Sequence, residues 1–351
     1  MITRRHFLKY SAVGFGNLVL GFSNLAFRPF YDWGTQTDSG EVARVTIESI
    51  SVYSKPSDKS RILYQRYRDE LVNIYTEIIS EDGPGYNPLW YRVWGGYVHS
   101  AYLQRVKVRL NPVITEIPNK GGQLAEVTVP LTQTMRYLPY KKNWEPLYRL
   151  YYGSTHWVKG VDPGPDGLVW YRLHDELNEV EYHVQAEHLR FVLPEEFSPI
   201  SLNVDPFDKH IEVKIATQTL TAYEKDKAVF TTKVSTGIPD QRNISGLIPT
   251  DTPTGEFRVY SKMPSKHMGD GQLTSDLEAY ELPGVPWTTF FAPNGVAFHG
   301  TYWHNNFGMT MSHGCVNMRT EEAKWIFRWT TPISEPETWE QTGYGTLVTV
   351  K

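Results

Sequence analysis

One cysteine stands in 351 residues, and histidines lie on its N-terminal side, since residues 299–319 read HGTYWHNNFGMTMSHGCVNMR. A thiol attacks as its thiolate, so a nucleophilic Cys315 needs a base or a positive field nearby to draw off its proton. His299, sixteen residues upstream, and His313, two residues upstream, are both candidates for that base. Gly314 makes the step from His313 to Cys315 read as a turn, where successive backbone N–H groups converge on one point and suit an oxyanion better than a proton. His299 ends the apolar run Gly295-Val296-Ala297-Phe298, which reads as a strand, and a strand end is a rigid platform for a base.

These residues closely resemble the catalytic signature of the YkuD-type L,D-transpeptidases, a His followed downstream by [S/T]HGC, a hydrophobic residue and N/R. The signature stands here as His299 and then Ser312-His313-Gly314-Cys315-Val316-Asn317, with Met318-Arg319 following. The segments HIEVKIATQTLTAYEKDKAVFTTKVSTG and TPTGEFRVY, ending at Tyr260, resemble the same family, so the likeness covers about 205–351. The resemblance implies a metal-independent cysteine enzyme without a cofactor, acting on peptidoglycan stem peptides. Carried over by position, Cys315 is the nucleophile, His299 the base and the Gly300 carbonyl its orienting partner. His313, Gly314 and Arg319 complete the site. Elsewhere a lone cysteine is usually a small buried hydrophobe; the surrounding signature sets Cys315 apart.

The supporting residues keep alternatives. Arg319 either holds a substrate carboxylate or packs under the active loop by hydrogen bonds. Asn317 ties the loop or touches substrate. Ser312 orients His313, donates to substrate or shapes the loop, the last being preferred. His299, His304, His313 and Cys315 could also be drawn as metal ligands, but the cysteine lacks a CxxC partner. On the resemblance, a new cross-link forms when an amine resolves the acyl-enzyme, and water in its place gives carboxypeptidase activity. A non-catalytic wall-binding protein is the reading from a different class, against which the intact His299/Cys315 pair speaks.

The rest of the chain must position this pair. Its length allows two to three domains. The 27 Gly, 23 Pro and 14% aromatic residues point to many short strands and turns rather than a helical bundle. A net charge of −4 gives no argument for nucleic acid, and a single cysteine excludes an internal disulfide framework.

Residues 1–40 read as targeting segment and linker. Thr3-Arg4-Arg5-His6-Phe7-Leu8-Lys9 resembles the twin-arginine export signal, and residues 10–27 carry no charge. That places the mature protein in the periplasm or cell wall, with a membrane contact only through this segment if it is uncleaved. Over 41–110, short alternating runs bounded by turn residues imply a small barrel. The stretch ending WYRVWGGYVHSAYL resembles a bacterial SH3-like domain. Trp90-Tyr91-Arg92 recurs as Trp170-Tyr171-Arg172, and Ala101-Tyr102-Leu103 aligns with Glu187-His188-Leu189, so 120–194 reads as a second copy with a hairpin extension around residues 175–179. Their aromatics fill a barrel core or stack on glycan strands, and the modules could also brace the catalytic domain.

The expected fold is therefore mainly β, two small SH3-like barrels followed at 205–351 by a largely antiparallel catalytic domain with one or more short helices. Residues 261–287 lack a sustained period and read as an irregular lid over the groove, with Met263, His267 and Met268 facing the site. Residues 302–311, beginning with Tyr302, form the other wall. Thr320-Glu321-Glu322 read as the N-cap and acidic first turn of a helix that supports the cysteine loop.

Overall fold

The computed structural model describes residues 41–239 and 250–351; the export signal expected in residues 1–40 lies outside them. Three apolar cores organise the described chain. The first belongs to residues that build two sheets, one ordered Leu71–Ile74, Glu41–Val45, Leu103–Val106, the other Ile62–Tyr67, Ser49–Tyr53, Gly96–His99, Leu89–Val93, Thr76–Ile79. Ala43, Val45, Val52, Val98 and Leu103 fill its interior. The second core lies in a seven-stranded sheet running from Gln123–Val127 to Leu189–Phe191.

The two units repeat a local pattern at the positions aligned in the sequence. Strand Gly96–His99 leads into a 3-10 turn Ser100–Tyr102 and strand Leu103–Val106, and strand Val180–Gln185 leads likewise into Ala186–His188 and Leu189–Phe191. Trp90 and Tyr91 are buried, as are Trp170 and Tyr171. These paired aromatics are core, large side chains that supply apolar area which the short strands otherwise lack. The extra residues of the second copy form the tip of the hairpin Val169–Asp175/Val180–Gln185.

The third core sits between two five-stranded sheets. One is ordered Lys227–Lys233, Thr219–Glu224, Lys209–Lys214, Leu347–Val350, Gly255–Arg258; the other Val316–Met318, Val296–Gly300, Glu281–Ala292, Ser261–Gly269, Gln341–Thr342. Most pairs are antiparallel. Lys209–Lys214 with Leu347–Val350 and Val296–Gly300 with Val316–Met318 are parallel. Ile211, Val213, Phe291, Phe298, Val316 and Val348 meet inside, joined by Leu124 and Trp157 from the second unit. The catalytic segment therefore does not close its core alone.

The helix Thr320–Trp329 buries Ala323, Ile326, Phe327 and Trp329 against this core. Its N-cap is Arg319, one residue before the expected Thr320, and no side chain caps it; Glu321 and Glu322 occupy the first turn, where carboxylates favour the exposed N–H groups. At the other end Lys262 and Lys209 donate to the Thr330 and Trp329 carbonyls at 3.0 and 3.1 Å, meeting acceptors the helix leaves unpaired.

Residues 261–287 depart most from the sequence expectation. They form no irregular lid but much of the hairpin Ser261–Gly269/Glu281–Ala292. A bulge between Lys266 and Met268, three prolines and burial on both faces erase the period-two pattern, as strands covered on both sides lose their alternation. No described helix is long and apolar enough to cross a membrane.

Candidate active site

Strand Val296–Gly300 is buried along its whole length, lying between Glu281–Ala292 and Val316–Met318. Register places His299 beside Asn317 and Phe298 beside Val316. Side chains alternate between faces, so Phe298 and Val316 enter the core while His299 and Asn317 share the opposite face. Cys315, two residues before Asn317, opens onto that face. The strand reaches it through a tight turn in which Asn294 and Gly295 hold φ of +60° and +75°, values that Asn and Gly adopt readily. The Gly295 carbonyl lies 3.8 Å from the Cys315 Sγ.

His299 Nδ1 lies 3.0 Å from the Gly300 carbonyl. A carbonyl only accepts, so Nδ1 carries the hydrogen and Nε2 keeps its lone pair. Burial pulls His299 down to about 4. Burial also pushes the Cys315 thiol up to about 11, with a backbone hydrogen bond from Ala297 opposing. The residue as a whole is half-buried. Near neutral pH the resting pair is thus a neutral thiol and a neutral imidazole. Gly300 tolerates nothing larger, because a Cβ would sit 2.8 Å from Pro286 and 3.0 Å from Thr320.

The cysteine turn is held from several sides. Ser312 Oγ donates to the Cys315 carbonyl and accepts the Gly314 N–H at 3.2 Å. Thr252 Oγ1 donates to the Gly314 carbonyl and accepts the Gly237 N–H, both at 2.8 Å. Gly314 has φ +117°, which a side chain would strain.

His299 and Cys315 line one cavity of about 230 Å³, together with Ser312, His313 and Asn317 from the motif. Met268, Tyr280 and Leu282 come from the hairpin, and Trp303 and Met311 from the loop between base and nucleophile. Trp303 and Met311 fall in the stretch expected as the second wall, and Tyr280 and Leu282 in the stretch expected over the groove; none was singled out by the sequence, because which side chains turn inward depends on how the hairpin folds over the sheet.

Other residues lie elsewhere. Met263 is buried within its strand opposite Thr288 and is not part of the cavity lining. His267 points away, with Nδ1 2.9 Å from Asp175 and Nε2 2.8 Å from Glu281. The bulge at Lys266/Met268 accounts for this: Met268 reaches the cavity while His267 turns to the second unit. Tyr302 donates to the Pro283 carbonyl at 3.0 Å and lines a neighbouring cavity. Arg319 is exposed, 3.3 Å from Glu322, with its guanidinium 4.7 Å from the Phe307 ring centre. Among the described residues no three His, Cys, Asp or Glu side chains gather to hold a metal ion.

The N-terminal units brace the cavity wall. Arg44, 2% exposed, donates to the Tyr302 carbonyl at 3.1 Å and pairs with Asp69 at 2.8 Å. The Asn305 N–H donates to the Ala101 carbonyl at 2.7 Å, and Asn87 Nδ2 to the Asn305 carbonyl at 3.3 Å. Asn87 in turn accepts from Ser100 and bonds His99. From the second unit, Thr155 Oγ1 donates to the Pro264 carbonyl at 2.7 Å.

Residues 208–350 match the model of the YkuD family, the L,D-transpeptidase catalytic domain. This segment is an L,D-transpeptidase catalytic domain. Solved structures similar to part of the chain include a mutant of the Enterococcus faecium L,D-transpeptidase, at 23% identity over 42% of this chain and 50% of that one, TM-score 0.30. An L,D-transpeptidase from Xylanimonas cellulosilytica aligns at 23% identity over 42% and 62%, TM-score 0.29. An L,D-transpeptidase from Mycobacterium smegmatis aligns at 18% identity over 52% and 90%, TM-score 0.32. The chain thus spans about half the length of the E. faecium protein. No curated protein matches the chain. The L,D-transpeptidase assignment rests on the family match, which covers both His299 and Cys315.

Proposed function

We propose that this chain is an exported cysteine L,D-transpeptidase that acylates itself with a peptidoglycan tetrapeptide stem, releases D-alanine and passes the acyl group to an amine. The observation that carries the reading is the shared cavity of Cys315 and His299, with the His299 Nδ1 hydrogen committed to Gly300. The free Nε2 takes the thiol proton as sulfur bonds to the carbonyl carbon preceding the terminal D-alanine. The oxyanion is met by backbone N–H groups of the turn, chiefly Cys315, because the Gly314 N–H is held by Ser312. The C–N bond then breaks, His299 returns its proton to the departing amine, and a thioester remains. An acceptor amine attacks the thioester, its proton passes through His299 to the sulfur, and a new amide cross-link is made.

Tyr280, Leu282 and Trp303 line the cavity that holds Cys315, which supports the amine over water, since an apolar wall limits the water that can reach the thioester. The resemblance of residues 3–9 to a twin-arginine signal supports a periplasmic or wall location, and the two N-terminal units are read as SH3-like modules that steady the catalytic wall, as the bonds from Arg44 and Ala101 to the loop after His299 support. Intact-protein mass spectrometry with a tetrapeptide-stem donor tests the reading. The full chain gains the mass of the stem less D-alanine, and Cys315→Ala gains nothing. An adduct that persists in Cys315→Ala would contradict it.

A further inference from the structure

Asn317 lies in the middle of the site and is 1% exposed, yet its Oδ1 is buried with no hydrogen-bond partner. Its Nδ2 is drawn 2.9 Å from His304 Nε2. That orientation conflicts with the other side of the same imidazole. The backbone N–H of Asn306 donates to His304 Nδ1 at 3.2 Å, and a backbone N–H cannot reverse its role. Nδ1 is therefore bare, and in a neutral ring the hydrogen must sit on Nε2. Burial, with His299 adding to it, pulls His304 down to about 3, so the ring is neutral at any physiological pH. An Nε2–H facing an NH2 sets two donors against each other.

Turning the amide by 180° removes the donor–donor conflict, because amide oxygen and nitrogen are told apart only by their hydrogen bonds. Oδ1 then accepts from His304 Nε2–H. The NH2 takes the place of the orphaned oxygen, on the sheet face it shares with His299, as a donor with no acceptor among the described residues. We propose that His304 is a positioning residue that locks the Asn317 amide with its NH2 toward the Cys315 cavity, where it donates to a carbonyl or carboxylate oxygen of the donor stem. Two residues along a strand span roughly 6–7 Å, so the donor reaches an oxygen about one residue from the scissile carbonyl. The lock is continuous with the first unit, because Asn306 Oδ1 also accepts from Asn87 Nδ2 at 3.4 Å. The stem as ligand rests on the function proposed above; the amide orientation does not.

Nitrogen-15 NMR of the histidine rings in the full chain reads the lock without any substrate. His304 is expected as the Nε2–H tautomer, and an Nδ1–H tautomer would overturn the proposal. Kinetics read its use. His304→Gln, which keeps an N–H near the Nε2 position, retains the kcat/KM of Cys315 acylation within about threefold, whereas His304→Phe and Asn317→Asp lose at least tenfold. Alkylation of Cys315 by iodoacetamide, which needs no such donor, changes less than twofold in the two His304 variants. Equal losses in acylation and alkylation would mean a purely structural role and would sink the proposal, as would unchanged acylation in His304→Phe. If the wild-type chain accepts no stem peptide, the function falls while the tautomer still decides the lock.

Discussion

The hydroxyl of Thr252 donates to the Gly314 carbonyl at 2.8 Å, across 62 residues of chain, and ties the residue before the nucleophile to the segment after residue 250. It also accepts the Gly237 N–H at 2.8 Å, so one side chain spans two backbone strands and the turn that presents Cys315. Removing the hydroxyl leaves a buried N–H without its acceptor, at a cost of about 1–3 kcal/mol.

Thr252→Val keeps the shape and removes the bridge. Acylation kcat falls about tenfold or more as the turn loses its fixed aim, with a loss of stability of about 1–3 kcal/mol by denaturant unfolding. Wild-type kcat in a variant destabilised by that amount would show that the bridge only supports the fold.

The neutral resting pair has a pH signature. With the thiol pushed up to about 11, alkylation of Cys315 by iodoacetamide in the absence of substrate climbs steadily above pH 8 and approaches its midpoint near 11. Acylation by the stem, assisted by His299, instead needs only the neutral imidazole and holds a plateau from about pH 5 upward, since His299 titrates near 4. An alkylation midpoint near 6 or 7 would reveal a resting thiolate–imidazolium pair and contradict the assignment.

His267 joins the hairpin to the second unit. Burial alone would lower its pKa, but the hydrogen bond and charge of Asp175, with Glu281 and Glu176 beside it, raise it above the usual imidazole value. Asp175 is held well below the usual carboxylate range, by the same histidine and by Tyr148 and Asn178 against an opposing burial penalty. The histidine's stabilisation is complete below its unfolded pKa of about 6.5 and is lost as pH rises through the higher folded value. The aspartate's is complete above about 3.9 and is lost as pH falls through the folded value. Wild-type stability should therefore decline as pH rises above about 6.5, and His267→Gln should flatten that decline. An unchanged slope in the variant would remove His267 as its source.

Much of this site was legible in the sequence because it is local. The turn at Gly314, the strand carrying His299 and the Trp-Tyr-Arg repeat are short patterns whose spacing fixes their geometry. What escaped depends on distant contacts. The hairpin Ser261–Gly269/Glu281–Ala292 reads as an irregular lid because both faces are buried, one of them against the second unit through Thr155 and Asp175. His267 and Met263 could not be told from Met268 as cavity residues, since a single bulge decides which side chain turns inward. His304 has histidine's ordinary ambiguity until Asn306 and Asn317 are brought around it.

The first unit acts on the site through Arg44, which reaches the Tyr302 carbonyl at 3.1 Å while Asp69 holds its other side at 2.8 Å. Arg149 of the second unit also meets Asp69 at 2.5 Å. Asp69→Ala leaves buried guanidinium charge without its carboxylate, a loss of about 3–5 kcal/mol. It should also lower acylation by freeing Tyr302 and, with it, the adjacent Trp303 that lines the cavity. Full stability in this variant would show that the units do not lean on Asp69.

The central claim is tested most directly by mass spectrometry of muropeptides after incubation of the full chain with a tetrapeptide-stem donor, beside Cys315→Ala. The wild type should yield a cross-linked dimer with release of D-alanine, and the variant neither. Tripeptide without dimer would replace transfer to an amine with transfer to water. Dimer formed equally by Cys315→Ala would contradict the account.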